Sequence, residues 1–150
     1  MTHPVFTIMP DYAGTYGWVK DSDRPEWSGV GGSHADTCGW SHQLRISDEL
    51  HQKFVAWQIE FESANLSTED NRKAFDWVDY HRRGIELTKR LKAEVGSKAI
   101  VIYEKAYEDP CHQDAERREI LEGGTVHILP TREVQKKASV ALMHYQKWGA

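Results

Sequence analysis

Ser47-Asp48-Glu49-Leu50-His51-Gln52-Lys53-Phe54-Val55-Ala56-Trp57-Gln58-Ile59-Glu60-Phe61 is the stretch on which the fold turns. Leu50, Phe54, Trp57 and Phe61 recur at i, i+4, i+7 and i+11, which puts four large apolar side chains on one stripe of an α-helix. Ser47 is a fitting N-cap, and Asp48 and Glu49 place negative charge where the helix dipole favours it. Such a stripe has to be buried, so the flanking sequence must supply the surface that covers it.

Downstream, a polar linker from Ser63 to Asn71 leads to a second helix. Its face reads Trp77, Tyr80, Gly84, Leu87, Leu91 and Val95, and Gly96 stands where a C-terminal cap belongs. Gly84 costs up to about 1 kcal/mol of helix propensity, and its place on the apolar side predicts close approach of another backbone. Ala99 to Tyr103 and Thr125 to Leu129, the latter after Gly123-Gly124, have strand composition. Between them, after Asp109-Pro110, a short helix is expected around Ala115 to Leu121. Val134, Ala138, Ala141, Tyr145 and Trp148 mark a C-terminal helix with Thr131 as its cap.

Upstream, Val5-Phe6-Thr7-Ile8 and Thr15-Tyr16-Gly17-Trp18-Val19 form a β-hairpin, with turn chemistry from Pro10-Asp11 and Ala13-Gly14. Residues 20–45 keep no period of 2 or 3.6 and read as a long irregular loop. The order of elements does not alternate strictly, which points to an α+β fold. The expectation is a single domain, 1–150: an N-terminal β-hairpin and short mixed sheet packed against two central helices and a C-terminal helix. A chain of 150 residues is the size at which one hydrophobic core is expected.

The longest apolar runs span only a few residues, whereas a membrane-spanning helix needs about 20. Met-Thr-His-Pro at the start lacks the basic and apolar regions of a signal peptide, so the chain is expected in the cytoplasm, with Cys38 and Cys111 as free thiols. The formal net charge is −4. That argues against sequence-independent nucleic-acid binding, which draws on clustered Lys and Arg. Residues 1–75 carry 6 basic and 11 acidic side chains and residues 76–150 carry 13 and 12. The acidity therefore lies in the first half and favours a basic partner.

His34, Asp36, Cys38 and His42 offer imidazole, carboxylate and thiolate within nine residues, the usual zinc set, and Cys111-His112 could add to it. The spacing matches no paired C-x₂-C or H-x₃-H arrangement, so a plain loop with a buried thiol is preferred and no metal or cofactor is assigned. Cys38 as a nucleophile activated by His34 or His42 lacks the second cysteine of the papain-like signature. Gly29-Val30-Gly31-Gly32 fails as a phosphate loop because neither G-x-G-x-x-G nor a following Lys-Ser/Thr is present. His51, His81, His127 and His144 share no metal spacing and receive no role. Glu60, Glu62, Asp76 and Asp79 read as solvated helix faces. Arg82, Arg83, Lys89, Arg90 and Lys92 read as a salt-bridged surface opposite the apolar stripe of the second helix.

What stands out is aromatic residues beside acids. Trp18, Asp21, Asp23, Glu26, Trp27, Asp36 and Trp40 lie close together in sequence, and tryptophans held beside fixed carboxylates suit a protein-recognition surface. The competing reading is that these tryptophans seal a β-rich core.

Several runs also carry a resemblance: Phe6 to Tyr12, Tyr16-Gly17-Trp18, Gly29-Val30-Gly31 with Ala35-Asp36, Leu50 to Glu62, and Phe75-Asp76-Trp77 with His81, Gly84-Ile85 and Leu91-Lys92. Over about the first two-thirds of the chain these resemble a family of small uncharacterised bacterial proteins, themselves similar to immunity proteins of polymorphic toxin systems. The resemblance implies a small, acidic, cytoplasmic, non-enzymatic protein that neutralises a cognate toxin by occluding its active site. It carries no catalytic or ligand motif, so it transfers no residue role. The expectation from another class is a small hydrolase using a Cys38 thiolate or a metal held by His34, Asp36 and His42.

Overall fold

The computed structural model describes residues 3–21, 24–31, 46–112 and 117–129, with the side chains of Asp21 and of residues 24–26 outside that description. The helix expected from Thr131 to Trp148 lies outside the described residues, as do Asp23, His34, Asp36, Cys38, Trp40 and His42.

Among the described residues, six strands form one mixed sheet in the order β3-β2-β1-β4-β5-β6: β1 (Val5–Ile8), β2 (Thr15–Asp21), β3 (Arg24–Gly31), β4 (Ile100–Tyr103), β5 (Arg118–Ile120) and β6 (Val126–Ile128). β1 pairs with β4 in parallel and every other neighbour is antiparallel. Among the described residues, three α-helices lie between β3 and β4 in sequence: α1 (Asp48–Ser63), α2 (Glu69–Ala74) and α3 (Trp77–Val95). This is an α+β architecture. Among the described residues no helix is long and apolar enough to cross a membrane.

α1 and α3 follow the periodicities read from sequence. Leu50, Phe54, Trp57 and Phe61 are all buried, and the Ser47 hydroxyl accepts the Leu50 N–H at 3.2 Å. The same hydroxyl donates to Glu94 of α3 at 2.8 Å, so the cap of one helix is tied to the end of the other. Trp57 and Tyr80 lock the pair from inside. Their rings stack at 4.6 Å, the indole N–H donates to the Tyr80 carbonyl at 3.1 Å, and the phenol donates to the Trp57 carbonyl at 2.8 Å. Both polar tips are satisfied in a dry interface, which removes the penalty of burying them.

Gly84 does face a close approach, but by side chains. A Cβ there would sit 2.5 Å from Trp57 Cζ2 and 2.7 Å from Tyr103 Cε2, so two aromatic rings occupy the gap where a backbone was expected. The expected Ser63–Asn71 linker gives way at its end to α2, capped by Thr68, whose side chain accepts the Asn71 N–H.

Two further expectations are overturned. Residues 24–31 are a strand rather than loop. Pro25, Gly29 and Gly31 look like breakers, but β3 is an edge strand, where a proline need not cost a ladder bond. Where a short helix was expected around Ala115 to Leu121, the described residues Arg118–Ile120 form β5 instead. Arg118 and Glu119 are good helix formers, and pairing with β4 on one side and β6 on the other overrides that preference. Gly123 and Gly124 close the β5–β6 hairpin at φ 84° and 86°, a backbone region that favours glycine.

Candidate functional site

Strand alternation sorts the residues of β1 onto two faces. Phe6 and Ile8 enter the helix-covered core, while Thr7 points to the other face, where its partner is Trp18. A cleft of about 220 Å³ opens on that other face, walled by Trp18, Trp27 and Tyr107 with Asp11 and the buried Glu104 among its acids. The two tryptophans differ. Trp18 is half-buried and its indole N–H is buried without an acceptor among the described residues. Trp27 is 45 % exposed, with the Lys20 ammonium 5.7 Å from its ring centroid. Tyr107, 61 % exposed, adds aromatic area to the same cleft.

Trp18 and Trp27 line one cleft from paired strands, Trp18 on the expected hairpin strand and Trp27 on a strand where a loop was expected. The backbones of Asp21 and Glu26 belong to the same β2–β3 hairpin. Asp23, Asp36 and Trp40 lie outside the described residues, as do His34, Cys38 and His42 of the metal or thiolate reading. Among the described residues no group of three His, Cys, Asp or Glu is placed to hold a metal.

A second constellation went unread in the sequence. His81 on α3 sits between Tyr103 at the end of β4 and Asp109 in the loop beyond it. Its Nδ1 lies 2.6 Å from the Tyr103 hydroxyl and its Nε2 2.6 Å from Asp109 Oδ2. A carboxylate can only accept, so the proton is assigned to Nε2, and Nδ1 accepts the phenol O–H. Asp109 is held in turn by the Cys111 N–H, which donates to Oδ1 at 2.7 Å. Trp77 stacks on the imidazole at 5.6 Å. Burial lowers the His81 pKa below its ordinary value, against the opposing pull of Asp109, and Lys105 and Arg118 lower it further. Burial also pushes the Tyr103 phenol well above its usual range. The imidazole is thus neutral and fixed in one tautomer at neutral pH.

The charges on α3 are less uniform than its sequence implies. Arg83 pairs with Glu60 of α1 and with Asp79, and Arg82 pairs with Asp79, as a salt-bridged surface should. Lys92 is a correction. It is buried, and its ammonium donates to the Ala99 carbonyl at 2.8 Å, because its long stem crosses apolar ground to reach a carbonyl just before β4. Comparison with protein-family models, with curated proteins and with solved structures finds no match for this chain.

Proposed function

We propose that the protein is a non-enzymatic binding module that recognises a basic protein through the aromatic cleft around Trp18 and Trp27. Within that class we propose an immunity protein that occludes the active site of a cognate bacterial toxin. The observation that carries the reading is Trp27, a large aromatic left 45 % exposed at the rim of a cleft whose other walls are Trp18 and Tyr107. Tryptophan and tyrosine are the residues that most often dominate binding energy at interfaces. The excess of acidic side chains in residues 1–75, which supply Asp11, Trp18 and Trp27 to the cleft, supports a basic partner.

Two kinds of variant test this in the full chain, co-expressed with the product of the gene adjacent to its own. Asp21→Lys, Asp23→Lys and Glu26→Lys together should slow association and reduce its salt dependence, as for rim charges. Trp27→Ala should raise the dissociation rate at a cost of about 2 kcal/mol or more, roughly 30-fold in affinity, with little change in melting because the ring is half in solvent. Neutralisation of the toxin that survives both sets of changes would sink the proposal. A Trp27→Ala variant that melts far below wild type would show the ring to be scaffold.

A further inference from the structure

We propose that the cleft beside His81 is a binding site for a small phosphate monoester, held by Lys105 and Arg118. It lies on the face of the sheet opposite the Trp18–Trp27 cleft. Tyr103 pairs with Ile8 in β1 and Trp18 pairs with its neighbour Thr7, and successive strand residues point to opposite faces.

The site follows from two periodicities. On α3, Val78, His81, Arg82 and Ile85 fall at i, i+3, i+4 and i+7, one stripe beside the core stripe of Tyr80, Gly84 and Leu91. On the sheet, Arg118 is the direct cross-strand partner of Tyr103, so its side chain leaves the sheet on the side where α3 lies. Lys105 follows two residues after Tyr103. Together they enclose an open cleft of about 390 Å³, within the range of small-molecule pockets.

Charge decides what it would hold. Arg82 is committed to Asp79 at 2.6 Å, and Glu86 to Lys89 at 3.3 Å. Neither Lys105 nor Arg118 has an acidic partner within ion-pair distance among the described residues. Both are only partly exposed, and both lie near enough to His81 to oppose its protonation. Two half-buried, uncompensated cations call for a dianion. A phosphate monoester carries about −1.5 to −2 at neutral pH, where a carboxylate carries one charge, and its oxygens suit the planar fork of Arg118. The apolar side chains of Val78, which is 84 % exposed, and Ile85 offer a surface for the organic group. His81 adds no donor, since its two nitrogens are taken by Asp109 and Tyr103.

The test uses the full chain and three probes: phenyl phosphate, inorganic phosphate and benzoate, titrated by calorimetry and followed at the His81 ring by NMR. Saturable binding of phenyl phosphate, tighter than inorganic phosphate and much tighter than benzoate, is the expected result. Arg118→Gln and Lys105→Gln should each weaken phenyl phosphate by about tenfold or more while leaving the melting temperature near wild type. Two variants are used so that a folding failure in one leaves the other informative. Absence of saturable phenyl phosphate binding up to about 10 mM, benzoate binding as tightly, or unchanged affinity in the folded variants would each overturn the assignment.

Discussion

Gly84→Ala sets two known magnitudes against each other. Alanine improves helix propensity at a mid-helix glycine by about 1 kcal/mol, and on that ground alone the variant should be more stable. The new Cβ, however, would lie 2.5 Å from Trp57 Cζ2, 2.7 Å from Tyr103 Cε2 and 2.8 Å from Tyr103 Oη. Carbon atoms rest at about 3.5–4.0 Å, so both rings must retreat by about 1 Å. Neither can do so freely, because Trp57 is stacked on Tyr80 and Tyr103 is hydrogen-bonded to His81. Overpacking of a filled core costs about 1–3 kcal/mol, and two constrained rings place this site at the upper end. The net expectation is a loss of about 2 kcal/mol, or about 4–8 °C in Tm for a domain of this size. Urea and thermal melts measure it, and the His81 ring resonances should shift as Tyr103 moves. A variant that melts at or above wild type would show that the rings yield cheaply and that the close packing against Gly84 does not constrain the fold.

Phe54→Ala should destabilise by about 3–5 kcal/mol, since the ring is fully buried and stacked on Tyr16 at 4.8 Å; a loss under about 1 kcal/mol by denaturant titration would refute its place in the core. The lowered pKa of His81 means that as pH falls below about 6.5 the unfolded chain takes up the proton before the native one, so stability is lost on acidification and is insensitive to this group above that pH. Melts of wild type and His81→Gln from about pH 8 to 5 should show a shallower acid slope in the variant, and parallel slopes would contradict the linkage. Lys92→Met keeps the stem and leaves the Ala99 carbonyl without its ammonium donor, at an expected cost of about 1–2 kcal/mol by the same melts; no change would mean that water replaces the bond.

The parts of this fold legible in the sequence are those set by local chemistry. The stripes of α1 and α3, the Ser47 cap, the Gly96 terminus and the β1–β2 hairpin needed only period, cap and turn residues. Strands β3 and β5 were hidden because their residues favour something else locally and become strands only through partners distant in sequence. Trp18 and Trp27 could be singled out from composition, but their shared cleft depends on pairing with a strand that reads as loop. His81 was passed over because a lone histidine on a helix carries no signal. Its partners stand 22 and 28 residues away, and only the return of the chain through β4 brings them within 2.6 Å. The one available hint was the periodic set Val78, His81, Arg82 and Ile85, a second stripe beside the core.

An aspartate, an imidazole and a hydroxyl in series invite comparison with a nucleophilic triad, and the geometry argues against reading Tyr103 that way. In a triad the imidazole takes a proton from a hydroxyl that is free to attack. Here burial holds the phenol far above its ordinary pKa and packs its ring against Gly84 and Trp57. Moving that proton to His81 would create a buried phenolate and a buried imidazolium together, and His81 is already biased by burial and by Lys105 and Arg118 against accepting it. The same three groups are well suited to a structural task. Each hydrogen bond spans two different elements: α3 to β4 through Tyr103, and α3 to the loop after β4 through Asp109. The relay therefore fixes the spacing between the helix stripe and the strand end that form the two walls of the cleft. With that wall locked and both nitrogens of His81 occupied, the cleft presents Lys105 and Arg118, which among the described residues have no ion-pair partner.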